Sequence, residues 1–259
     1  MTNSIAELRA IYDAMDWHAE GEQWAERWGG TQQQWDRMVL PRIAPYLAPA
    51  RHILELGGGM GRFSSHLARQ GEQLWITEIS TRCHTRLETK FRDMPTVTPL
   101  LTNGIALDRI PLNAVDFVFS VFSLVHADLP TLRAMLAQIK PRLRADGVIF
   151  LHHSNAATLA GGSHEVDRKL ARYRALSVSA KAFRQMATRL GLRCVSQEVF
   201  GWDKDSLPGD CFSALTLPGS RWDRPYTYTH TRRFCAQTVT TVPPRTARQK
   251  PHRHEELQC

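Results

Sequence analysis

Residues 53–63 read Ile-Leu-Glu-Leu-Gly-Gly-Gly-Met-Gly-Arg-Phe, and this run constrains the fold more than any other part of the chain. Its glycines disfavour both strand and helix, because each costs backbone entropy and offers no side chain to pack. The run His52–Leu56 reads as a buried strand, and Arg62–Gln70 as a helix stopped by Gly71. Strand, glycine loop, helix is an arrangement in which bare backbone can approach a ligand and a helix start offers unpaired N–H groups. The spacing is G-x-G-x-G. A dinucleotide fingerprint wants a third glycine where Arg62 stands. No G-x-x-x-x-G-K-[ST] run occurs, which excludes a phosphate-binding P-loop.

The same alternation continues downstream. Leu74–Ile79, Thr96–Thr102, Val115–Ser123 and Val148–His153 read as further strands, followed by Leu192–Phe200 and Cys211–Leu217. Between them lie a helix capped by Ser80, one capped by Asp128 with Leu132, Met135, Leu136 and Ile139 on one face, and one capped by Ser179. The Asp146-Gly147 pair reads as a turn into the fifth strand. The pattern predicts an α/β fold with a doubly wound, Rossmann-like, seven-stranded and mostly parallel sheet. Residues 1–50 read as an N-terminal helical cap of two or three short helices, anchored by Trp17, Trp24, Trp28 and Trp35. Residues 51–218 form the main domain. Within it 155–178 reads as a lid or substrate insertion after strand five, and 219–259 as a basic C-terminal tail.

Composition narrows the class. With 42% hydrophobic and 22% charged residues, the chain is that of an ordinary globular protein. No run approaches the ~18 apolar residues of a spanning helix, so no membrane partner is expected. The first 30 residues carry six acids and no apolar signal segment. Five scattered cysteines without a C-x-x-C argue against a disulfide framework or structural zinc and fit a reduced, cytoplasmic setting. The net charge is +8, and 219–259 holds eight basic residues against three acidic ones. Such a Pro- and Arg-rich end reads as solvated chain. With no aromatics interleaved beyond Phe234, it offers no stacking platform, and a nucleic-acid partner is not expected. The expected partner is a small-molecule or carbohydrate substrate; a homo-oligomer stays open.

Several further features fall in a fixed order: Glu55–Gly61, the acid Glu78 at 21 positions after Gly57, Asn103-Gly104 after strand three, Asp116–Ser120 in strand four, and Lys140–Gly147 before strand five. In this order the chain resembles the class I S-adenosylmethionine-dependent methyltransferases over roughly residues 50–217. The resemblance implies S-adenosylmethionine as cofactor. It puts Glu55 and Gly57, Gly58, Gly59 and Gly61 near the methionine part, with Arg62, Phe63 and Ser120 in the same set. Glu78 would bind the ribose, and Ile79 with Asn103, Gly104 and Ile105 would frame the adenine. Two departures stand out. Asn103 occupies a place where members usually carry an acid, and Ser123-Leu124-Val125-His126 replaces the Asp-Pro-Pro-Tyr signature of amino methyltransferases. Taken singly, Glu55 is a strand-end acid, Glu78 a helix-capping partner and the glycines a tight turn; their joint order favours the cofactor.

An aliphatic hydroxyl is a poor nucleophile and gains from a general base or a metal. Three histidines at strand ends are candidates: His126 after strand four, and His152 and His153 ending strand five. His152 and His153 are neighbours on a strand, so only one can readily face a given pocket. The resemblance favours His126 as base; a histidine bonded near the helix start is an equal reading, and Asp128 reads as a cap. A narrower resemblance, to bacterial sugar and polysaccharide O-methyltransferases, rests on Leu124–Asp128, His152–Asn155, Arg174–Ala180 and Asp210–Ser213. It implies O-methylation of a sugar or glycosylated metabolite. His164, Glu165, Asp167, Arg168 and Arg172 would bind the polyol, with Tyr173, Trp202 or an N-terminal Trp stacked on the ring. A divalent metal is open, with no ligand spacing that demonstrates it. The alternatives are methylation of a phenolic or amine natural product, and a non-catalytic binding protein.

Overall fold

The computed structural model describes residues 4–17, 19–24, 29–160, 174–202 and 206–231. Eight strands form one sheet: β1 His52–Leu56, β2 Gln73–Glu78, β3 Val97–Leu101, β4 Val115–Ser120, β5 Leu143–Ser154, β6 Arg193–Phe200, β7 Asp210–Thr216 and β8 Thr227–Thr231. The order is β3-β2-β1-β4-β5-β7-β6-β8. Pairings from β3 to β5 are parallel, β7 runs antiparallel to both β5 and β6, and β8 is parallel to β6. The expected doubly wound, mostly parallel sheet is present, with one strand more than expected. β8 falls at the start of the expected tail. Its Thr-Tyr-Thr-His-Thr sequence has strong strand propensity but no apolar face, as an exposed edge strand permits.

The central strands are buried on both sides, so they read as near-continuous apolar runs. Phe117 and Phe119 of β4 and Phe150 of β5 pack into one core layer with Trp35, Ile43, Leu47 and Leu67. Val118, Ile149 and Leu151 face the other, against Leu132, Leu136 and Ile139 of α6 (Leu129–Ile139) and Phe183 of α7 (Ala180–Arg189). Asp128 caps α6 by accepting the Thr131 N–H at 2.9 Å, as its position predicts. Two elements differ from expectation. The helix after the glycine loop is a single turn, α4 (Ser64–Leu67), flanked by turns. β5 begins at Leu143, so Asp146 and Gly147 lie within a strand.

The N-terminal segment holds α1 (Ile5–Ala14), α2 (Gly30–Gln34) and α3 (Leu40–Leu47), with α5 (Thr81–Lys90) as their neighbour on the sheet. Ser4 caps α1 in a reciprocal box with Glu7. Asp13 Oδ1 accepts the Ser80 hydroxyl at 2.6 Å, and Arg9 Nη2 donates to Thr81 Oγ1 at 3.0 Å, which seats α1 on the start of α5. Trp35 acts as an anchor, stacked on His66 at 4.6 Å. Arg42 of α3 meets Glu198 of β6 through two bonds, 2.6 and 2.7 Å. The Trp24 side chain and Trp28 lie outside the described residues. So do residues 161–173, most of the expected insertion, and the chain after Thr231. Both ends of the insertion are fixed: Asn155 donates to Pro208 O and accepts from Ala180 N, and Ala175 N–H bonds Val125 O. Among the described residues, no helix is long and apolar enough to cross a membrane.

Candidate active site

The strand order reverses between β1 and β4, and in an open α/β sheet ligands bind at that crevice, beyond the strand carboxyl ends. A cavity of about 1100 Å³ opens there. Its floor is the glycine loop. Gly57 has φ 72°, and a Cβ there would stand 2.4 Å from Ser123 Oγ, whose hydroxyl donates to Gly57 O at 2.7 Å. The loop can therefore lie against the end of β4 only without a side chain. Gly59 has φ 54° and nothing within 4 Å of a Cβ position, so its backbone is bare. Its N–H donates to Glu78 Oε2 at 2.7 Å, while Glu78 Oε1 accepts from Ile79 N at 2.7 Å and Ser80 N at 2.9 Å. Burial raises the Glu78 carboxyl above its ordinary range, and the three N–H donors oppose that rise.

Two further charges line the cavity with unused valence. Glu55 is 3% exposed, its Oε2 has no hydrogen-bond partner, and burial, then the neighbouring Glu78, raises its carboxyl to about 7. Arg62 Nη1 is buried without a partner, and its guanidinium lies 5.3 Å from the Phe63 ring centre and 5.7 Å from that of Phe122. A buried polar atom without a partner is costly and marks a place where a ligand completes the site. An acid for an ammonium group, a guanidinium for a carboxylate, an acid for ribose hydroxyls and a bare glycine backbone fit an amino-acid nucleoside such as S-adenosylmethionine.

The three histidines have different fates. His126 lines the cavity, and its ring nitrogens make no hydrogen bond to any described residue. Burial, then the Arg174 charge, lowers it to about 4, so it is neutral at physiological pH with a lone pair available. His152 is fully buried. Its Nδ1 receives the Phe122 N–H at 3.2 Å, which places its proton on Nε2, and that N–H donates to Asp210 Oδ1 at 2.7 Å. His153, also fully buried, donates from Nδ1 to Ser154 O at 2.8 Å, leaving Nε2 to accept the Ser213 hydroxyl, and it stacks on Phe183 at 4.0 Å. Neither keeps a lone pair for a substrate proton, so both fall out as bases. The sequence places histidines at strand ends but cannot show which valences the fold consumes.

Of the cofactor set, Glu55, Gly57, Gly58, Gly59, Arg62, Phe63, Glu78, Ile79 and Gly104 line the cavity. Gly61 faces Leu87, Lys90 and Phe91 of α5 and its end instead. Ser120 is fully buried and donates to Leu56 O, tying β4 to β1. Asn103 turns its Oδ1 back to the N–H groups of Ile105 and Ala106, and Ile105 packs into the core, so neither contributes to the wall. Thr102 does. The cavity also takes in Tyr12 and Trp17 from the N-terminal segment, Ser123, and Asp210, which holds Arg174 and Trp202. Asp210 opens β7 directly after Pro208-Gly209; in the sequence it stands out only as the first residue of the Asp210–Ser213 segment, with no partner indicated. Burial pushes this carboxyl up, but Arg174 and His152 outweigh burial and hold it at about 2. The expected polyol ligands of 161–173 and Tyr173 lie outside the described residues. Among the described residues, no group of three His, Cys, Asp or Glu side chains could hold a metal.

Residues 53–147 match the family model described as a methyltransferase domain. No curated protein matches significantly. Among solved structures, a SAM-dependent methyltransferase of Leishmania major is similar with a TM-score of 0.62 at 14% identity, covering 82% of this chain and 82% of that one. The geranyl diphosphate C-methyltransferase of Streptomyces coelicolor has a TM-score of 0.60 at 13% identity, covering 79% and 88%. A SAM-dependent methyltransferase of Archaeoglobus fulgidus has a TM-score of 0.58 at 16% identity, covering 74% and 97%. At these identities the likeness is one of fold. Residues 53–147 are thus similar to a methyltransferase domain, and the sheet that contains them has the fold of S-adenosylmethionine-dependent methyltransferases of known structure.

Proposed function

We propose that this protein is an S-adenosylmethionine-dependent methyltransferase acting on the hydroxyl of a small acceptor with an aromatic or apolar body. The observation that carries the reading is one cavity with a cofactor clasp, Gly59 held by Glu78, on one side and an available neutral histidine, His126, on the other. Bound there, S-adenosylmethionine supplies a methyl group already activated on a positively charged sulfur. The protein is left to align and to take a proton. Glu78 holds the ribose, Glu55 the amino group and Arg62 the carboxylate. His126 accepts the proton that the acceptor hydroxyl loses.

The acceptor class follows from two features. The wall contains Phe63, Phe122, Trp202, Leu124 and Leu207, which suits an apolar body. A base held at about 4 is weak. It assists a phenol, which ionises near 10, far better than an aliphatic hydroxyl. Both features favour the phenolic reading over the sugar reading.

The test is calorimetric titration with S-adenosylhomocysteine, followed by a labelled-methyl screen of phenols against sugars. Micromolar binding and labelled phenol are expected. His126→Ala should lower turnover by about 10²–10⁴-fold with cofactor affinity unchanged. The His126-dependent rate should be flat from pH 6 to 8 and fall only towards about 4. Labelled sugar alone, or an unaffected His126→Ala variant, would overturn the acceptor assignment.

A further inference from the structure

Phe122 lies in the left-handed region, φ 70°, a conformation that an aromatic residue rarely adopts without an external hold. The hold is visible. The Phe122 N–H donates to His152 Nδ1, and His152 is fixed in turn by Asp210. Asp210 spends its two oxygens on four donors: His152 Nε2 at 2.7 Å, Arg174 Nε at 2.7 Å, Arg174 Nη2 at 3.1 Å and Trp202 Nε1 at 3.0 Å. One buried carboxylate therefore sets the Trp202 ring directly and the Phe122 ring through His152. The two rings lie 5.3 Å apart with 26° between their planes, and Phe122 continues onto Phe63 at 5.8 Å and 21°. All three line the cavity.

From this geometry we infer that Asp210 and His152 are positioning residues, and that the ring wall they set selects a planar aromatic acceptor. The inference rests on reading the cavity as a methyl-transfer site. Flat rings bind by offset stacking, which a saturated molecule of equal size cannot match. A buried polar network that orients two walls at once keeps that stacking surface in one arrangement. Asp210, with all its valences used, takes no part in proton transfer.

The test uses 2-naphthol and its saturated counterpart, decahydro-2-naphthol, titrated into the full chain loaded with S-adenosylhomocysteine. The unaltered protein should bind 2-naphthol about tenfold more tightly than the saturated alcohol. His152→Ala should remove most of that preference, while S-adenosylhomocysteine affinity stays within about twofold. His152→Asn keeps an acceptor near the Nδ1 position for the Phe122 N–H, and should restore part of the preference. Trp202→Phe keeps a ring but loses its bond to Asp210, and should fall between. Equal affinity for the two alcohols, or no binding of either, overturns the inference. So does a preference that survives His152→Ala. Failure of S-adenosylhomocysteine to bind the unaltered protein overturns the cofactor reading instead, and the naphthol titration of the unloaded protein still decides the ring wall.

Discussion

The donor and acceptor halves of the cavity each contain a buried carboxylate, and the two behave oppositely. Glu55 keeps an oxygen without a partner and is raised to about 7, whereas Asp210 has four donors and is held at about 2. Each is only 3% exposed. Partners therefore decide the outcome: a carboxyl left unsatisfied is a binding group awaiting a cation, and a saturated one is a structural strut. The halves differ in range as well. Gly59 meets Glu78 across 19 residues, while Asp210 gathers His152 from 58 residues away and Arg174 from 36.

The largest effect should come from breaking the strut. Asp210→Ala removes the buried carboxylate to which Arg174, His152 and Trp202 donate, and should cost about 3–5 kcal/mol in denaturant unfolding. Because the folded Asp210 carboxyl lies below its ordinary 3.8, its contribution is present above that pH and is lost as pH falls through about 2. The variant should accordingly show a flatter acid limb. A loss under about 1 kcal/mol would erase the contrast with Glu55.

Glu78→Ala should be the next largest. Losing the charge-assisted bond to the loop, and the one proposed to the ribose, should weaken S-adenosylhomocysteine by about thirtyfold in calorimetry, about 2 kcal/mol. Glu55→Gln sharpens the comparison by reversing its sign. The raised folded carboxyl stabilises the protein below about 4.5, and this contribution is lost as pH rises through about 7. Glutamine should therefore stabilise the ligand-free protein at pH 8, on the order of 1 kcal/mol. If Glu55 receives the amino group as proposed, affinity for the cationic cofactor should rise from pH 6 to 8, a trend that glutamine should flatten. Smallest is Asp13→Ala. Asp13 is partly exposed, so the melting temperature should move by the equivalent of less than about 1 kcal/mol.

The difference in range also explains what could be read from the chain. The glycine-loop half is backbone and near neighbours, so spacing singled out Gly57–Gly59 and Glu78, and the resemblance Glu55, all of which line the cavity; β1 to β4 and the caps Ser80, Asp128 and Ser179 were legible as well. The acceptor half is made by side chains that meet only after the sheet closes. His126 and His152 look alike in sequence, and only the Phe122 and Asp210 contacts separate them. β8 was missed because an exposed edge strand carries no apolar alternation, and α4 was overestimated because the loop turns continue to Phe63.

Glu78, Ile79 and Ser80 sit back to back between two loads. Glu78 grips the glycine loop, and the Ser80 hydroxyl carries Asp13 of α1, whose Ile5, Leu8 and Tyr12 close the cavity from above. The proposed grasp of the pentose and the seating of this roof therefore share one hinge. A nucleoside pulling on Glu78 should tighten α1 as well, and slower amide exchange across residues 5–14 on adding S-adenosylhomocysteine would register the shared strain.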